Sequence, residues 1–190
     1  MNKKVAVIIA GGKSSRMKRD KALLPFGGFS TLTEYQYKRL SPFFDEVYIS
    51  AKSNKFNFSV DIIEDIYEVS SPLVAIVSIF KTLDSDEVFI LSVDSPFVSL
   101  NTIKDIYEES KISNSDVILA KSTNGVEPLC AIYRKSVLPL AEEKLSQNRH
   151  RLQSFLDGLE CSTIEFESSR DFINLNYPQD YQDASIVDSL

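Results

Sequence analysis

A strand that runs directly into a glycine pair is the feature that most constrains the fold. Residues 5–10 read Val-Ala-Val-Ile-Ile-Ala, a continuous apolar run typical of a strand buried on both faces. Gly11 and Gly12 follow at once, and the basic residues Arg16 and Lys21 continue the segment. Glycines permit a sharp turn that brings backbone N–H groups close to a ligand, where they can bind phosphate oxygens. The segment indicates either a phosphate-binding loop or an ordinary turn with solvated basic side chains.

Strand-like and helix-like segments alternate along the rest of the chain. Apolar residues at helical spacing follow Pro72, and residues 88–93 form the strongest buried strand. This alternation predicts one three-layer α/β/α domain, Rossmann-like with a mostly parallel sheet, over residues 1–190. We expect Asn101 to cap a helix and the tract 113–135 to be a mobile insertion at the sheet edge. The other predicted strands are residues 47–50, 61–64, 117–120, 129–133 and 163–166.

Charge and composition exclude several classes of protein. The chain has 190 residues, is 43% hydrophobic and has a formal net charge of −6, which argues against general nucleic-acid binding. Its longest apolar runs are far shorter than the ~20 residues that a membrane span needs, so we expect no membrane partner and a cytoplasmic location. Residues 1–21 nevertheless hold seven Lys and Arg residues against one Asp. This local excess of positive charge indicates a site for a small polyanion.

Metal-binding and nucleophilic motifs are scarce. The two cysteines, Cys130 and Cys161, lie far apart in the sequence, and His150 is the only histidine. A His-ligated metal cluster and a CxxC motif are therefore excluded, and a Ser-His-Asp triad would have to use His150.

Acidic and polar residues at predicted strand ends are candidates for ligand binding. In open α/β sheets, ligands bind beyond the carboxyl ends of the strands, which points to Gly11–Lys21, Ser50–Ser53, Asp65 and Asp94. Asp94 ends the most apolar strand, so it is either a Mg²⁺ ligand or the cap of a turn. Asp65 is either an acceptor for the N1–H and N2–H groups of guanine or one solvated acid among several.

Four blocks of sequence carry a resemblance to a known family. The first, Ile9-Ala10-Gly11-Gly12-x-Ser14-x-Arg16-Met17-x-x-Asp20-Lys21, resembles the signature of the molybdenum cofactor guanylyltransferase (MobA) family. Val93–Phe97, Pro128–Tyr133 and Phe172–Pro178 resemble three further family segments, in the family's order. The sequence departs from the family at four positions. Lys18 and Ser71 stand where the family usually has Gly, and Ser50 stands where it has Asn. Glu127 replaces a residue that is usually neutral or His.

The resemblance implies transfer of GMP from GTP to the terminal phosphate of molybdopterin, with release of pyrophosphate and with Mg²⁺ as cofactor. It implies that Arg16 and Lys21 contact the triphosphate and that Asp94 holds Mg²⁺ and acts in catalysis. The implied nucleotide-binding residues are Ala10, Gly11, Gly12, Lys21, Ser50, Asp65 and Asp94. The implied acceptor-binding residues are His150, Arg151, Asn174 and Asn176. Molybdoenzyme maturation proteins are further expected partners.

This reaction needs no general base, because a phosphate monoester with a second pKa of about 6 is mostly ionised at neutral pH. Two alternatives stay open from the residues. One is a related nucleotidyltransferase, such as a molybdopterin cytidylyltransferase or an enzyme with another phosphorylated acceptor. The other is a carrier that binds nucleotide or cofactor without catalysis, which the departures at Lys18 and Ser50 leave possible.

Overall fold

Seven strands form one sheet, and helices cover both of its faces. The computed structural model describes residues 3–11, 19–167 and 170–187. The strands are β1 (Val5–Ile9), β2 (Glu46–Ala51), β3 (Asp61–Glu64), β4 (Glu87–Ser92), β5 (Val117–Ser122), β6 (Gly125–Arg134) and β7 (Cys161–Glu165). The α-helices are α1 (Leu32–Leu40), α2 (Pro72–Thr82), α3 (Leu100–Ile112), α4 (Leu138–Ser146), α5 (Leu152–Leu156) and α6 (Pro178–Val187).

Alternate residues of β1 contribute to two separate cores. Ala6 and Ile8 pack with residues of α1, α3 and α6 on one face of the sheet. Val5, Val7 and Ile9 pack with residues of α2, α4 and α5 on the other face. Because successive strand residues point to opposite faces, an apolar run at every position is what a sheet covered on both sides requires. The predicted three-layer α/β/α architecture is confirmed.

The strand order is β3-β2-β1-β4-β6-β5-β7, and every strand except β6 runs in the same direction. The chain moves outwards from β1 to β3 and then returns to place β4 on the other side of β1. This reversal leaves a crevice at the carboxyl ends of β1 and β4, which is where such sheets bind ligands. Because β6 is antiparallel, its start lies at the same edge as the ends of the other strands.

Two local predictions are wrong. The tract 113–135 is not an insertion at the sheet edge, because β6 pairs with both β4 and β5 in the interior of the sheet. A two-residue turn joins β5 to β6, and Gly125 follows it at φ +122°, a conformation that favours glycine. The cap of α3 is Ser99, whose side chain accepts the N–H of Thr102, and Asn101 lies inside the helix.

No helix within residues 3–11, 19–167 and 170–187 is both long and apolar enough to cross a membrane.

Candidate functional site at the carboxyl edge of the sheet

Helix α1 positions both sides of the crevice. Thr33 Oγ1 donates to the carbonyl of Ala22 at 2.8 Å and so holds the short 3₁₀ turn Lys21–Leu23. One helical turn later, Gln36 Nε2 donates to the carbonyl of Ser95 at 3.0 Å and to that of Val93 at 3.4 Å. Both side chains belong to fully buried residues, and they lie on one helix face because they are three residues apart. The same helix therefore fixes the turn that carries Lys21 and the turn that carries Asp94.

Lys21 and Asp94 meet at the centre of the crevice. The ammonium of Lys21 donates to Asp94 Oδ2 at 2.6 Å and to the side-chain oxygen of Asn176 at 3.1 Å. The side chains of Lys21 and Asp94 are only 16% and 19% exposed, so water screens this ion pair less than it screens surface pairs. The structure thus brings together three predicted site residues from the first block, the end of β4 and the segment before α6.

Short polar contacts hold Asp94 and the two asparagines in register. Ser92 Oγ donates to Asp94 Oδ1 at 2.6 Å, and Ser95 Oγ donates to Asn174 Oδ1 at 2.6 Å. The N–H of Leu175 donates to the carbonyl of Asp94 at 2.9 Å, which ties the asparagine segment to the end of β4. Asn174 and Asn176 belong to one tight turn, in which the N–H of Asn176 donates to the carbonyl of Asn174 at 3.0 Å. Both residues line the same cavity.

Three adjoining cavities form a cleft along this edge, and we name each by a residue in it. The Ser70 cavity, about 420 Å³, also contains Gly11, Lys52 and Lys55. The Lys21 cavity, about 210 Å³, contains Gly11, Asp94 and Leu129. The Glu127 cavity, about 290 Å³, contains Asp94, Leu129, Asn174 and Asn176. Each cavity shares residues with the next, so the Lys21 cavity lies between the other two.

Asp65 lies at the Ser70 end of the cleft. Its backbone N–H bonds to the carbonyl of Ala51, and its Oδ2 accepts the hydroxyl of Ser70 at 3.0 Å. The carboxyl is half-buried, and this burial raises its pKa against the opposing effects of the Ser70 bond and the Lys52 charge. Ser70 is the member of this pair that lines the cavity, and Asp65 is joined to the cavity through it.

Glu127, which the sequence marked only as a departure from the family, lies at the other end of the cleft. Its Oε1 accepts the hydroxyl of Ser122 at 2.7 Å, and the half-buried side chain lines the Glu127 cavity directly. Burial raises the pKa of this carboxyl, and the Ser122 bond opposes the shift. The two ends of the cleft therefore carry similar groups, each a half-buried carboxyl with one oxygen bonded to a serine.

Lys55 is a further site residue that sequence reasoning missed. Its ammonium donates to the carbonyl of Ala10 at 3.2 Å and to Asp20 Oδ2 at 2.5 Å. Asp20 in turn caps the Lys21–Leu23 turn by accepting the N–H of Ala22. The signal was available, because Lys55 follows the predicted strand end at Ser50–Ser53 by two residues.

The first block is described only in part. Ala10 is buried, and both its backbone groups are engaged: its N–H bonds to the carbonyl of Ser50 and its carbonyl to Lys55. Gly11 lines both the Ser70 and the Lys21 cavities. Gly12 and Arg16 lie outside the described residues.

Ser50 is more buried than a direct ligand contact would suggest. The residue is 1% exposed, and its hydroxyl has no hydrogen-bond partner among residues 3–11, 19–167 and 170–187. Its carbonyl already accepts the N–H of Ala10 at 2.9 Å. A role for Ser50 in nucleotide binding stays a prediction.

His150 and Arg151 lie directly before Leu152, which lines the Glu127 cavity together with Asn174 and Asn176. His150 Nδ1 lies 3.1 Å from the hydroxyl of Ser71, the cap of α2, and its Nε2 lies 3.0 Å from Asn148 Oδ1. Ser71 follows Ser70, so His150 lies near the Asp65 end of the cleft. Arg151 is exposed at the start of α5. Acceptor binding by these two residues stays a prediction.

A larger cavity, about 560 Å³, opens at the opposite edge of the sheet. Its charged lining is Lys3 together with four acidic residues, Glu46, Asp84, Asp86 and Glu87. A net negative lining disfavours a polyanion. The chemistry therefore points to the smaller cavities at the carboxyl edge.

The donor atoms at Asp94 suit Mg²⁺. A carboxylate oxygen and an amide oxygen, Asp94 Oδ2 and Asn176 Oδ1, converge on one cation, the ammonium of Lys21. Oxygen donors of these two types are what Mg²⁺ prefers. No group of three or more His, Cys, Asp or Glu side chains suited to a metal occurs in the described part of the chain.

Comparison with known proteins agrees with the fold. The model of the MobA-like NTP transferase domain matches residues 6–163, which include β2 to β6, Lys21, Asp65, Asp94 and Glu127. The chain belongs to the MobA-like NTP transferase family. It is a nucleotidyltransferase, as the resemblance implied.

Relatives of this family match nearly the whole chain. A molybdenum cofactor guanylyltransferase of Campylobacter jejuni subsp. doylei is 34% identical over 184 residues, which cover 96% of this chain and 95% of the relative. A protein of the same name from Helicobacter pylori strain P12 is 34% identical over 181 residues, covering 93% and 89%.

Among solved structures, the molybdopterin-guanine dinucleotide biosynthesis protein A of Archaeoglobus fulgidus superposes with a TM-score of 0.85. The match covers 97% of this chain and 98% of that protein at 21% sequence identity, and it shows that the two share a fold.

Proposed function

We propose that this protein transfers GMP from GTP to the terminal phosphate of molybdopterin and releases pyrophosphate, with Mg²⁺ as cofactor. The observation that carries the proposal is the meeting of Lys21, Asp94 and Asn176 at the centre of the cleft, within 2.6 Å and 3.1 Å contacts. The names of the relatives supply the choice of guanine and of the acceptor. Cytoplasmic location and delivery to maturation proteins stay predictions.

The reaction forms one bond and breaks one. An oxygen of the acceptor phosphate bonds to the α-phosphorus of GTP, and the bond from that phosphorus to the bridging oxygen of pyrophosphate breaks. The acceptor oxygen is already ionised at neutral pH, so no proton has to be removed. The protein's part is to align two polyanions and to stabilise the negative charge on the leaving group.

The residues divide this work between them. Lys21, with Arg16 from the same loop, contacts the triphosphate and stabilises the charge that develops on pyrophosphate. Asp94, together with the amide oxygen of Asn176, would hold the metal ion, since these two oxygens already converge on the ammonium of Lys21. Mg²⁺ bound there would neutralise phosphate charge and polarise the phosphoryl group. Asp65 accepts the N1–H and N2–H groups of guanine, which adenine does not offer, and so selects GTP.

Pyrophosphate release with each of the four nucleoside triphosphates, Mg²⁺ and molybdopterin tests the proposal. We expect release that requires molybdopterin and is fastest with GTP. Preference for CTP would show a cytidylyltransferase and would contradict the role of Asp65. Nucleotide binding without release from any triphosphate would show a carrier and not an enzyme.

A further inference from the structure

Glu127 is a charged residue that lines a cavity of the cleft. It lies near the start of β6, where the pairing with β4 has ended at Leu91 and Cys130. Glu127 and Asp94 each lie three residues beyond that last pair, at the same edge of the sheet, and both line the Glu127 cavity. The Glu127 carboxyl therefore faces the space beside the proposed reaction centre.

A bulge in β6 produces this arrangement. Leu119 pairs with Ala131, but the next residue of β5, Ala120, pairs with Glu127. Pro128, Leu129 and Cys130 are passed over, which suits proline because it cannot donate a hydrogen bond to a ladder. Bulges redirect side chains and are frequent beside active sites. Here the bulge places both Glu127 and Leu129 in the wall of the cleft.

The rest of the Glu127 cavity combines an apolar wall with a polar one. Pro128, Leu129, Leu152 and Phe172 supply the apolar surface, and the polar groups include Asp94, Asn174 and Asn176. A heteroaromatic ring with polar edges matches such a lining, because its faces pack on apolar side chains while polar groups fix its orientation.

Glu127 supplies acceptor oxygens without a cation in hydrogen-bond contact. Its Oε1 accepts from Ser122, which is buried, and no other side-chain hydrogen bond or ion pair of Glu127 occurs in the described part of the chain. A half-buried carboxylate is costly unless donors reach it. Burial raises the pKa of this carboxyl, against the opposing effect of the Ser122 bond.

The pterin ring of the acceptor carries the matching donors. Like guanine, a pterin presents a ring N–H beside an exocyclic amino group, and one carboxylate accepts from both. We propose that the Glu127 carboxylate binds this aminopyrimidinone edge of the acceptor and so fixes which ring system enters the cleft. The inference rests on the proposed function, since it takes the acceptor to be a pterin.

The Glu127→Gln variant tests the inference in two ways. Gln keeps the size of the side chain and one oxygen that can accept from Ser122. It lacks the charge and the second acceptor oxygen that would bind the two N–H groups of the pterin. We expect the KM for molybdopterin to rise about 10-fold to 100-fold, while the KM for GTP and the kcat at saturating acceptor change by less than about twofold. Asp65→Asn is the matched control, with the KM for GTP raised and the KM for molybdopterin unchanged.

Direct binding distinguishes a specific contact from a structural role. Fluorescence titrations would compare 6-methylpterin with 6-methyllumazine, which has an oxygen in place of the 2-amino group. The wild type should prefer the pterin by about tenfold or more, and Glu127→Gln should bind the two within about threefold. Equal preference in the two proteins, or no binding of the pterin by the wild type, would overturn the inference. These titrations need no GTP, so they decide the role of Glu127 even if guanylyl transfer fails.

Discussion

The two ends of the cleft use the same type of group but place it by different routes. Asp65 directly follows β3, a parallel strand, and reaches the Ser70 cavity through the hydroxyl of Ser70. Glu127 lies near the start of β6, the antiparallel strand, and lines its cavity without an intermediary. The comparison shows that the start of an antiparallel strand contributes to the lining of the cleft just as the end of a parallel strand does.

This similarity has a chemical counterpart in the two proposed ligands. Guanine and pterin share an edge with adjacent N–H donors, and each end of the cleft presents a carboxyl whose burial raises its pKa. Lys21 and Asp94 lie between the two ends, in the cavity that adjoins both. Ligand recognition is therefore proposed at the two ends of the cleft, and the chemistry is proposed at its centre.

The largest effects are expected at the centre. Asp94→Asn and Lys21→Met should each lower kcat/KM for both substrates by about 100-fold or more, because each removes charge from the reacting phosphates. Steady-state kinetics of pyrophosphate release would measure the loss. Lys104→Met, an exposed position on α3, is the matched control and should change the rate by less than about twofold. An effect of Asp94→Asn on one substrate alone would break the division between centre and ends.

Smaller and selective effects are expected at the ends. In the double variant Asp65→Asn with Glu127→Gln, the KM for GTP and the KM for molybdopterin should both rise, each by about 10-fold or more, as in the single variants. Because the residues have no contact in the structure, the free-energy changes in kcat/KM should add within about 0.5 kcal/mol. A double-variant cycle on kcat/KM measures the sum. A strong departure from additivity would mean that the two ends act as one unit.

The effect of pH on the KM for GTP, through Asp65, is expected to be smaller again. Only the ionised carboxylate accepts both guanine donors, so the KM for GTP should rise as the pH falls through the raised pKa of Asp65, by up to about tenfold per pH unit below it. KM measured from about pH 8 to pH 5 should show this increase in the wild type. In Asp65→Asn, any change of the KM for GTP with pH comes from titration of the substrates alone, so this variant is the control. Parallel profiles for the two proteins would contradict the role of the carboxylate.

The smallest effects concern stability. A folded-state pKa above the ordinary value means that the folded protein binds this proton more tightly than the unfolded chain does. For Asp65 and Glu127, the associated stability is therefore complete at acid pH and is lost as the pH rises through the raised pKa. Asp65→Asn and Glu127→Gln should unfold at the same or a slightly higher temperature than the wild type at neutral pH, with a gain of at most about 1 kcal/mol.

Thermal unfolding at neutral and at acid pH would measure that difference. The gain should shrink towards acid pH, where the wild-type carboxyls are protonated. A clear loss of stability in either variant at neutral pH would show that the carboxyl stabilises the fold, and the comparison of the two ends would then lose its basis.

The sequence predicted the architecture because its physical signals are local. Uninterrupted apolar strands indicate a sheet covered on both faces, and polar residues at strand ends indicated Lys21, Asp65 and Asp94. The position of β6 could not be predicted, because neither its antiparallel direction nor its pairing partners leave a local signal. This is why the tract 113–135 was placed at the sheet edge, and why Glu127 was noted only as a departure from the family.

Packing between distant elements was equally hidden. Nothing in the sequence near Gln36 indicates that its side chain bonds to the carbonyls of Val93 and Ser95. The position of Lys55 near a predicted strand end was a signal, but its contacts with Ala10 and Asp20 depend on how the segment after β2 folds back.

A crystal structure of the protein with GTP and Mg²⁺ tests the central claim most directly. We predict that the triphosphate occupies the Lys21 cavity, with Lys21 at the phosphates, the metal ion on Asp94 and the guanine beside Asp65. A nucleotide bound at the acidic cavity of the opposite edge, or phosphates remote from both Lys21 and Asp94, would contradict the account.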